Sequence, residues 1–288
     1  MSNTINILSW NYQGKTNKYK LGALRQLATE NKADIIVLQE ASGIKISSIL
    51  NTTHSEISYL KPNGSAGVRV FLKHNMFSHT PAKLGYFNKY ALVKLKFLNS
   101  TETFNLIAVH LYSKVGRSER KQMWENLPFI EEINNWEKSS GTDKSIMIGD
   151  FNHNPFDSNM LDPNVINSRD SRQIINHQKK FSSIGTKESF WYNPMWNFLG
   201  DHDRYSNSDR IPGTYFFNKE DENPIWNLLD GFMVRPSLMN NIDFSSSRII
   251  TGTSSHKFIK STLMKRDESF IHEYYSDHLP IILTINIK

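Results

Sequence analysis

The segment SIMIGDFNHNP, residues 145–155, joins a short apolar run to a dense group of polar side chains. The run SIMIG has the length and composition of a strand that is buried on both faces. Asp150 and Asn152 follow it directly, and residues two apart on an extended segment point to the same side. Both side chains can therefore reach one phosphate or one attacking water. The segment predicts a buried strand that ends in a polar site.

Other short apolar runs repeat this pattern along the chain. Several of them also have the composition of strands buried on both faces. They occupy residues 5–10, 34–39, 67–72, 91–97, 104–110, 227–234 and 280–287.

Two longer segments, residues 18–31 and 118–138, carry apolar residues at helical spacing. Pro128 is expected to kink the second helix. Strands joined partly by helices and partly by short turns predict an α/β protein with mixed sheets covered by helices. Residues 155–212 are rich in Asn, Asp, Ser and Arg, and we interpret them as long loops or an insertion within a single domain over residues 1–288.

The composition limits the chemistry. The chain has no cysteine, which excludes disulfides, thiolate nucleophiles and cysteine-ligated zinc, so any metal is expected to be a hard cation. The balance of 34 Lys and Arg against 28 Asp and Glu, a net charge of +6, permits a polyanionic partner. No apolar run approaches the roughly 18 residues of a membrane span, and the first residues predict no signal peptide. We therefore expect a cytoplasmic protein without a membrane span.

Polar residues also occur where the other predicted strands end or begin. Ligand sites of α/β folds are built at such strand ends, so these residues are expected to converge, although each one alone is more often a turn or cap residue. Their carboxylates and amides are the oxygen donors that Mg²⁺ or Mn²⁺ prefers, and the two histidines can handle protons or developing charge. The set consists of Asn11, Glu40, His110, Asp150, Asn152, Asp277 and His278.

The motifs SWNYQG, VLQEAS, VHLYS, GDFNHNP, LLDGFMV and YSDHLPI occur in this order between residues 9 and 281. Together they resemble the endonuclease/exonuclease/phosphatase superfamily of metal-dependent phosphodiesterases and phosphatases. They are most similar to its deoxyribonuclease I and cytolethal distending toxin catalytic-subunit branch. The resemblance implies a four-layered α/β sandwich, in which two mixed β-sheets pack face to face between outer helices. It also implies a single active site at one edge.

The resemblance assigns the metal site. In such enzymes the counterpart of Glu40 binds Mg²⁺ or Mn²⁺, with the counterparts of Asn11 and Asp277 beside it or bridged by water. Whether one or two metals bind stays open.

The resemblance also assigns the catalytic roles. Water would attack phosphorus in line, with Asp150 and Asn152 holding the nucleophile and the phosphate. Asp230 would orient His278, and His110 would contact the scissile phosphate or assist the leaving oxygen. Either Asp150 or His278 would accept the proton from water, and the spacing leaves this choice open.

The substrate is less well defined, because the superfamily includes DNA and RNA nucleases, phosphoinositide phosphatases and sphingomyelinases. The basic charge and the stretch 190–217, rich in aromatic and amide side chains, favour a nuclease acting on DNA or RNA. Arg204 and Arg210 are expected to bind flanking phosphates. The alternatives are a phosphatase or phosphodiesterase acting on a phospholipid or small phosphorylated metabolite, and an inactive scaffold. An arginine often seen before strand 91–97 in the superfamily is replaced by Asn88 or Lys89.

Four aromatic residues of this stretch, Trp191, Tyr192, Trp196 and Tyr215, allow two interpretations. They pack the loops onto the core, or two or more of them lie exposed at the rim and provide surfaces for bases.

Overall fold

The computed structural model describes residues 3–14, 17–41, 46, 50–60, 67–178, 180–183, 186–201, 210–217, 226–260, 269–272 and 274–287. Within these residues, two large mixed β-sheets form the centre of the protein, with strands numbered along the chain. The six-stranded sheet contains β1 (Asn3–Asn11), β2 (Ile35–Gln39), β3 (His54–Glu56), β5 (Val68–Lys73), β18 (Arg248–Ile249) and β19 (Ile281–Ile287).

The nine-stranded sheet faces the first. It contains β4 (Tyr59–Leu60), β6 (Phe77–His79), β7 (Ala82–Leu84), β8 (Tyr90–Phe97), β9 (Thr103–His110), β10 (Ser145–Asp150), β11 (Ser168–Arg169), β14 (Trp191–Tyr192) and β17 (Asp230–Val234). Two hairpins are formed by β12 (Lys180–Ser183) with β13 (Thr186–Ser189) and by β15 (Tyr215–Phe216) with β16 (Trp226–Asn227).

Helices α1 (Lys18–Glu30) and α2 (Glu119–Ser140) form the outer layers, and α3 (Ser158–Leu161) and α4 (Arg172–Gln178) are short. The two long helices begin at side-chain caps: Asn17 accepts a hydrogen bond from the backbone of Lys20, and Ser118 accepts one from Lys121. Pro128 lies inside α2, which continues to Ser140 and ends at Gly141. Short 3₁₀ turns occupy Tyr86–Asn88, Pro194–Phe198 and Pro236–Leu238.

Successive side chains of a strand point to opposite faces of its sheet, and this alternation produces the four layers. In β2, Ile35 and Val37 belong to the buried cluster between the sheets, whereas Ile36 and Leu38 pack on the other side with α1. The outer face of the second sheet packs in the same way against Phe129 of α2. The expected four-layered α/β sandwich, with two mixed sheets face to face between helices, is confirmed.

Each predicted strand is present. The run 227–234 divides into the end of β16 and the whole of β17. Residues 155–212 contain α3, α4 and strands β11 to β14, of which β11 and β14 extend the edge of the second sheet. One buried cluster includes residues from Ile5 to Ile287, which supports the single domain over residues 1–288; that division, with its loop or insertion, stays a prediction. No helix in the described part of the chain combines the length and apolar character that crossing a bilayer requires.

Strand pairing brings several predicted site residues to one edge. The parallel pair β1 and β2 aligns Asn11 with Gln39, the residue before Glu40. In the second sheet, Asp150 is the pairing partner of His110 on one side and of Asp230 on the other. The register alone therefore places these residues at the same end of the sandwich.

Candidate active site

Asp150 is the centre of the candidate site and is almost fully buried. Its Oδ2 accepts a hydrogen bond from Asn11 Nδ2 at 2.9 Å, which connects the two sheets. Its Oδ1 accepts the backbone N–H of Asn152 at 2.8 Å, and Asn152 Nδ2 lies 3.2 Å from Oδ2. Burial raises the pKa of Asp150. The carboxylate is thus held in one orientation, in surroundings that disfavour its charged form.

Glu40 lies on the open side of Asp150. Its Oε1 is 3.3 Å from Asn11 Nδ2 and 3.5 Å from His110 Nε2, and 42% of its side chain is exposed. Glu40 adopts a left-handed backbone conformation with φ 52°, and Asn152 does so with φ 55°. Asparagine adopts this conformation readily, whereas a glutamate in it is uncommon, so the strain supports a functional role for Glu40.

Gly149 allows the two sheets to approach each other closely. Its φ is 147°, and a Cβ atom there would lie 2.0 Å from the carbonyl oxygen of Val109 and 3.0 Å from Gln39 Nε2. No other residue fits this position without moving the backbone. The glycine before Asp150 is therefore required chiefly by the pairing of β10 with β9.

His278 and Asp230 form a buried pair, with 2.8 Å between Nδ1 and Oδ2. Ser276 Oγ fixes the approach to His278 by donating to the carbonyl of Asn11 and accepting the backbone N–H of His278. Burial alone would lower the pKa of His278, but the carboxylates of Asp230 and Asp150 outweigh it and raise the pKa to about 10. His278 therefore carries a positive charge at neutral pH.

His110 behaves in the opposite way. Burial lowers its pKa to about 4, although Asp150 acts to raise it. Its Nε2 is 3.8 Å from Asp150 Oδ2. The site thus holds one neutral imidazole and one imidazolium within reach of the same carboxylate.

The residues fit a hard cation in two adjacent places. The carboxylates of Asp150 and Asp230 lie in one buried group with His278, and the polar atoms of the three residues are within 4.8 Å of one another; only the carboxylates can hold a cation while His278 is protonated. The second oxygen of Asp230, Oδ1, is buried without a hydrogen-bond partner among the described residues. Glu40 is the more open carboxylate next to this group. An orphaned buried carboxylate oxygen in an oxygen-rich set is the environment that Mg²⁺ or Mn²⁺ satisfies.

The other predicted site residues lie further from this centre. Asp277 is partly exposed beside His278 and acts on it electrostatically. Arg210 places its guanidinium 5.8 Å from the ring centre of Phe198, away from the catalytic cluster. Arg204 lies outside the described residues.

The aromatic residues divide between the two interpretations. Trp191 and Tyr192 are buried, 1% and 3% exposed, so they belong to the core. Trp196 and Tyr215 are partly exposed, and the Tyr215 ring lies 4.9 Å from the His278 ring. Phe217 stacks on Tyr215 at 6.2 Å, so two rings lead outward from His278.

Sequence reasoning missed a cationic cluster at the rim. Lys89 Nζ and the Arg117 guanidinium lie 5.1 and 5.0 Å from the ring centre of Tyr112. Lys89 acts electrostatically on Asp150 and Glu40, and burial lowers its pKa. The signal for Lys89 was its position before β8, where the superfamily often has arginine; Arg117 had none, because only the fold brings it to Tyr112.

A buried carboxylate hub, a His–Asp pair and a half-exposed glutamate thus lie together at one edge of a four-layered sandwich. Residues 8–252 match the Endonuclease/Exonuclease/phosphatase family, and the chain belongs to that family. Members of the family hydrolyse phosphoric esters and generally use divalent metals. No curated protein matches the sequence.

Solved structures share the fold at low identity. The human Nocturnin catalytic domain with bound sulfate has a TM-score of 0.59 at 13% identity, covering 100% of this chain and 98% of that one. A family protein from Bacteroides thetaiotaomicron has a TM-score of 0.61 at 11% identity, covering 100% and 99%. The endonuclease domain of TRAS1, a telomere-specific non-LTR retrotransposon, has a TM-score of 0.52 at 12% identity, covering 98% of each chain. These likenesses concern the fold alone.

Proposed function

We propose that this protein is a Mg²⁺-dependent nuclease that hydrolyses phosphodiester bonds of DNA, and of RNA as a second substrate. The observation that carries the proposal is the convergence on Asp150 of Asn11, Asn152, His110 and the His278–Asp230 pair. This arrangement provides a carboxylate that can accept a proton, the positive charge of His278 and oriented amides around one point. In-line attack of water on phosphorus requires these three features.

The protonation states favour Asp150 as the proton acceptor. His278 is already protonated at neutral pH because its pKa is raised to about 10, so in this state it cannot accept a proton from water. Asp150 has a raised pKa, which makes it a stronger base than an exposed carboxylate. His278, held by Asp230, would then stabilise the negative charge that develops on the phosphoryl oxygens.

The two remaining polar groups have separate tasks. Neutral His110 would donate a hydrogen bond from Nε2 to a phosphoryl oxygen or to the leaving oxygen. Asn152 would hold the attacking water next to Asp150.

Glu40 would hold the cation, Mg²⁺ or Mn²⁺, with Asp277 beside it or bridged by water. When bound, the cation supplies charge neutralisation at the phosphoryl oxygens. Asn11 turns its amide nitrogen toward Glu40 and Asp150, while its Oδ1 accepts the backbone N–H of Gln13. This pattern supports a positioning role for Asn11. A second cation would be held by the carboxylates of Asp150 and Asp230, since protonated His278 cannot ligate it.

Cationic and aromatic side chains at the rim of the site support a nucleic-acid substrate. Lys89 and Arg117 border the site on one side, and Tyr215 and Phe217 border it on the other. Cations beside a phosphate site and aromatic rings beside them are the two surfaces that nucleic-acid chains use.

A second candidate function is a phosphodiesterase acting on a phospholipid. Phe87 and Val115 are 72% and 83% exposed, and they lie in the loops that carry Lys89, Lys114 and Arg117. Exposed apolar side chains flanked by cations also suit an anionic lipid surface.

The test is hydrolysis of labelled duplex DNA, single-stranded DNA, RNA and phosphoinositide vesicles, each with Mg²⁺ and with excess EDTA. We expect DNA cleavage that requires Mg²⁺ and that is abolished in Glu40→Gln without a change in Tm, because this variant loses the proposed ligand of the cation. Glu131→Gln, an exposed acid on α2, is the matched control and should retain activity. Full activity in EDTA would contradict the hydrolytic mechanism, and hydrolysis of phosphoinositide alone would favour the second candidate.

A further inference from the structure

A second cavity lies outside the candidate active site, with a volume of about 980 Å³. It opens between the β18 edge of the first sheet and the 3₁₀ turn Pro194–Phe198, which packs on the second sheet. None of the eight residues assigned above to metal binding or catalysis lines it. Its volume is at the upper end of the roughly 300–1,000 Å³ that ligand sites occupy.

The floor of this cavity is aromatic. Phe198 belongs to the buried cluster between the sheets, and Phe244 packs against that cluster. Each ring has a guanidinium near it: Arg210 lies 5.8 Å from the centre of Phe198, and Arg172 lies 4.8 Å from the centre of Phe244. Phe198 is buried, at 8% exposed, whereas Phe244 is partly exposed and offers an aromatic surface on which a nucleobase can stack.

The mouth of the cavity is cationic. Arg210, Arg248 and Lys257 line it, and no carboxylate does among the residues that the structure describes. Arg248 donates to the carbonyl oxygen of Ser246 and to the amide oxygen of Asn31, which are both neutral acceptors. The lining residues that the structure describes include no carboxylate beside Arg248 and Lys257, so an anionic ligand complements these two cations.

The cavity is connected to the candidate active site by two short paths. From Arg210 the chain leads within a few residues to Tyr215, whose ring touches that of His278. On the other side, Ile249 pairs with Ile281, and the backbone N–H of Ile250 donates to the carbonyl of Pro280, two residues beyond His278. The cavity therefore lies beside the start of β19, close to His278 in the fold.

We propose that this cavity binds a single-stranded segment of the nucleic-acid substrate, with a base on Phe244 and phosphates at Arg248 and Lys257. The inference rests on the proposed nuclease function and makes it more specific. Bases in a duplex are stacked on each other and paired, so they cannot offer their faces to a recessed floor without being separated first. Single strands or frayed ends are therefore the substrates that the cavity favours.

The test measures binding without hydrolysis, so that it is separate from catalysis. A dye-labelled ten-nucleotide thymidine strand is titrated with the protein in EDTA at several salt concentrations, and binding is followed by fluorescence anisotropy. In the double variant Arg248→Ala and Lys257→Ala we expect about tenfold weaker binding and a slope of log K against log salt that is shallower by roughly 1.4, since each phosphate contact on a single strand contributes about 0.7.

The matched control is the double variant Lys96→Ala and Lys138→Ala, which removes two exposed cations at the opposite end of the second sheet. It should bind with the slope of the unmodified protein. Equal affinity and slope in the two double variants, or no binding of the strand by the unmodified protein, would overturn the proposal. Failure of the nuclease function has a different signature: binding that depends on the cavity, with no cleavage of any nucleic acid when Mg²⁺ is added.

Discussion

Asp150 and His278 share one electrostatic environment, and their protonation states cannot be set independently. Asp230 holds His278 through a 2.8 Å contact, and both carboxylates raise the pKa of the imidazole. Removal of Asp230 would therefore change the charge of His278 as well as its orientation. Asp230 and His278 are therefore expected to act as one unit.

The first prediction tests this unit with a double-mutant cycle. Asp230→Asn and His278→Ala should each lower kcat/KM by about 10²-fold or more, which is the usual contribution of a group that stabilises the charge developing in the transition state. The double variant should lose little beyond the His278→Ala variant, because nothing is left for Asp230 to orient. The measurement is kcat/KM for DNA in Mg²⁺. A double variant whose loss equals the product of the two single losses would show that the residues act separately.

The second prediction concerns stability at acid pH. The folded protein binds a proton at His110 less tightly than the unfolded chain, because burial lowers the pKa from 6.5 to about 4. Stability contributed by neutral His110 is therefore complete above pH 6.5 and is lost as the pH falls toward 4. Between pH 7 and pH 4.5 this amounts to about 2.5 kcal/mol at 1.36 kcal/mol per pKa unit.

Urea unfolding in EDTA at these two pH values measures the effect. The decrease in unfolding free energy should be smaller in His110→Gln by about that amount. His177→Gln, a change at an exposed histidine of α4, should follow the unmodified protein. An equal decrease in all three proteins would contradict the prediction, because it would show that the folded protein binds a proton at His110 as tightly as the unfolded chain does.

At the scale of residues, the polar groups of the site could be predicted from the sequence, because they follow predicted strands and the strand ends of an α/β sandwich meet at one edge. Asn11, Asp150 and His278 could be selected on this basis alone. It could not reveal that Asn11 turns its amide nitrogen to the carboxylates, or that Arg117 reaches Tyr112, since both depend on packing between distant segments.

At the scale of elements, strand β10 is restricted by its glycine. It lies between β9 and β17, and the space for a side chain at Gly149 is filled by the carbonyl of Val109. Because this carbonyl belongs to a central strand, it cannot move without disturbing the sheet. The left-handed φ adds strain for any other residue.

The third prediction compares two glycines. Gly149→Ala should lower the unfolding free energy by about 3 kcal/mol or more, the upper end of the cost of overpacking, and should abolish hydrolysis because Asp150 is displaced. Gly141→Ala is the matched control: it also has positive φ, at 71°, but nothing lies within 4 Å of its added Cβ. It should cost only about 1 kcal/mol of local strain and keep full activity. Similar losses in both variants would show that backbone strain, not contact with Val109, determines the effect.

The long elements were predictable because each has its own hydrophobic period. Helices α1 and α2 and the central strands all follow from the spacing of apolar residues. The short strands of residues 155–212 were not predictable, since a two-residue strand such as β14 is defined by its partner β17 and not by its own sequence. The break between β16 and β17 has a similar origin, because Asn154 accepts the backbone N–H of Leu228 at that point.

At the scale of the whole molecule, the two ends of the chain lie side by side. Strands β1 and β19 pair from Asn3 with Ile287 to Ser9 with Ile281, in the middle of the first sheet. The candidate site depends on both ends, since Asn11 leaves β1 and His278 precedes β19. Because Asn11 of the first sheet donates to Asp150 of the second, the site also requires that the two sheets pack together.

The last prediction is that the protein unfolds in one transition. Chains longer than about 150 residues often unfold in steps, so this outcome is not the default. One buried cluster, however, contains Ile5, Ile148 and Ile287, so neither sheet keeps its inner face covered without the other. Far-UV circular dichroism, tryptophan fluorescence and hydrolytic activity should therefore change at the same urea concentration.

The variant Leu283→Ala tests whether the cluster couples the sheets. Leu283 is fully buried in β19, and its truncation should shift the transition of every probe together, by about 2–5 kcal/mol in unfolding free energy. Leu98→Ala, at a leucine that is 53% exposed, should change it by less than about 0.5 kcal/mol. Two separate transitions, or a Leu283→Ala shift seen by fluorescence but not by activity, would contradict a single domain and would mean that the sheet carrying Asp150 folds independently of the sheet carrying Asn11.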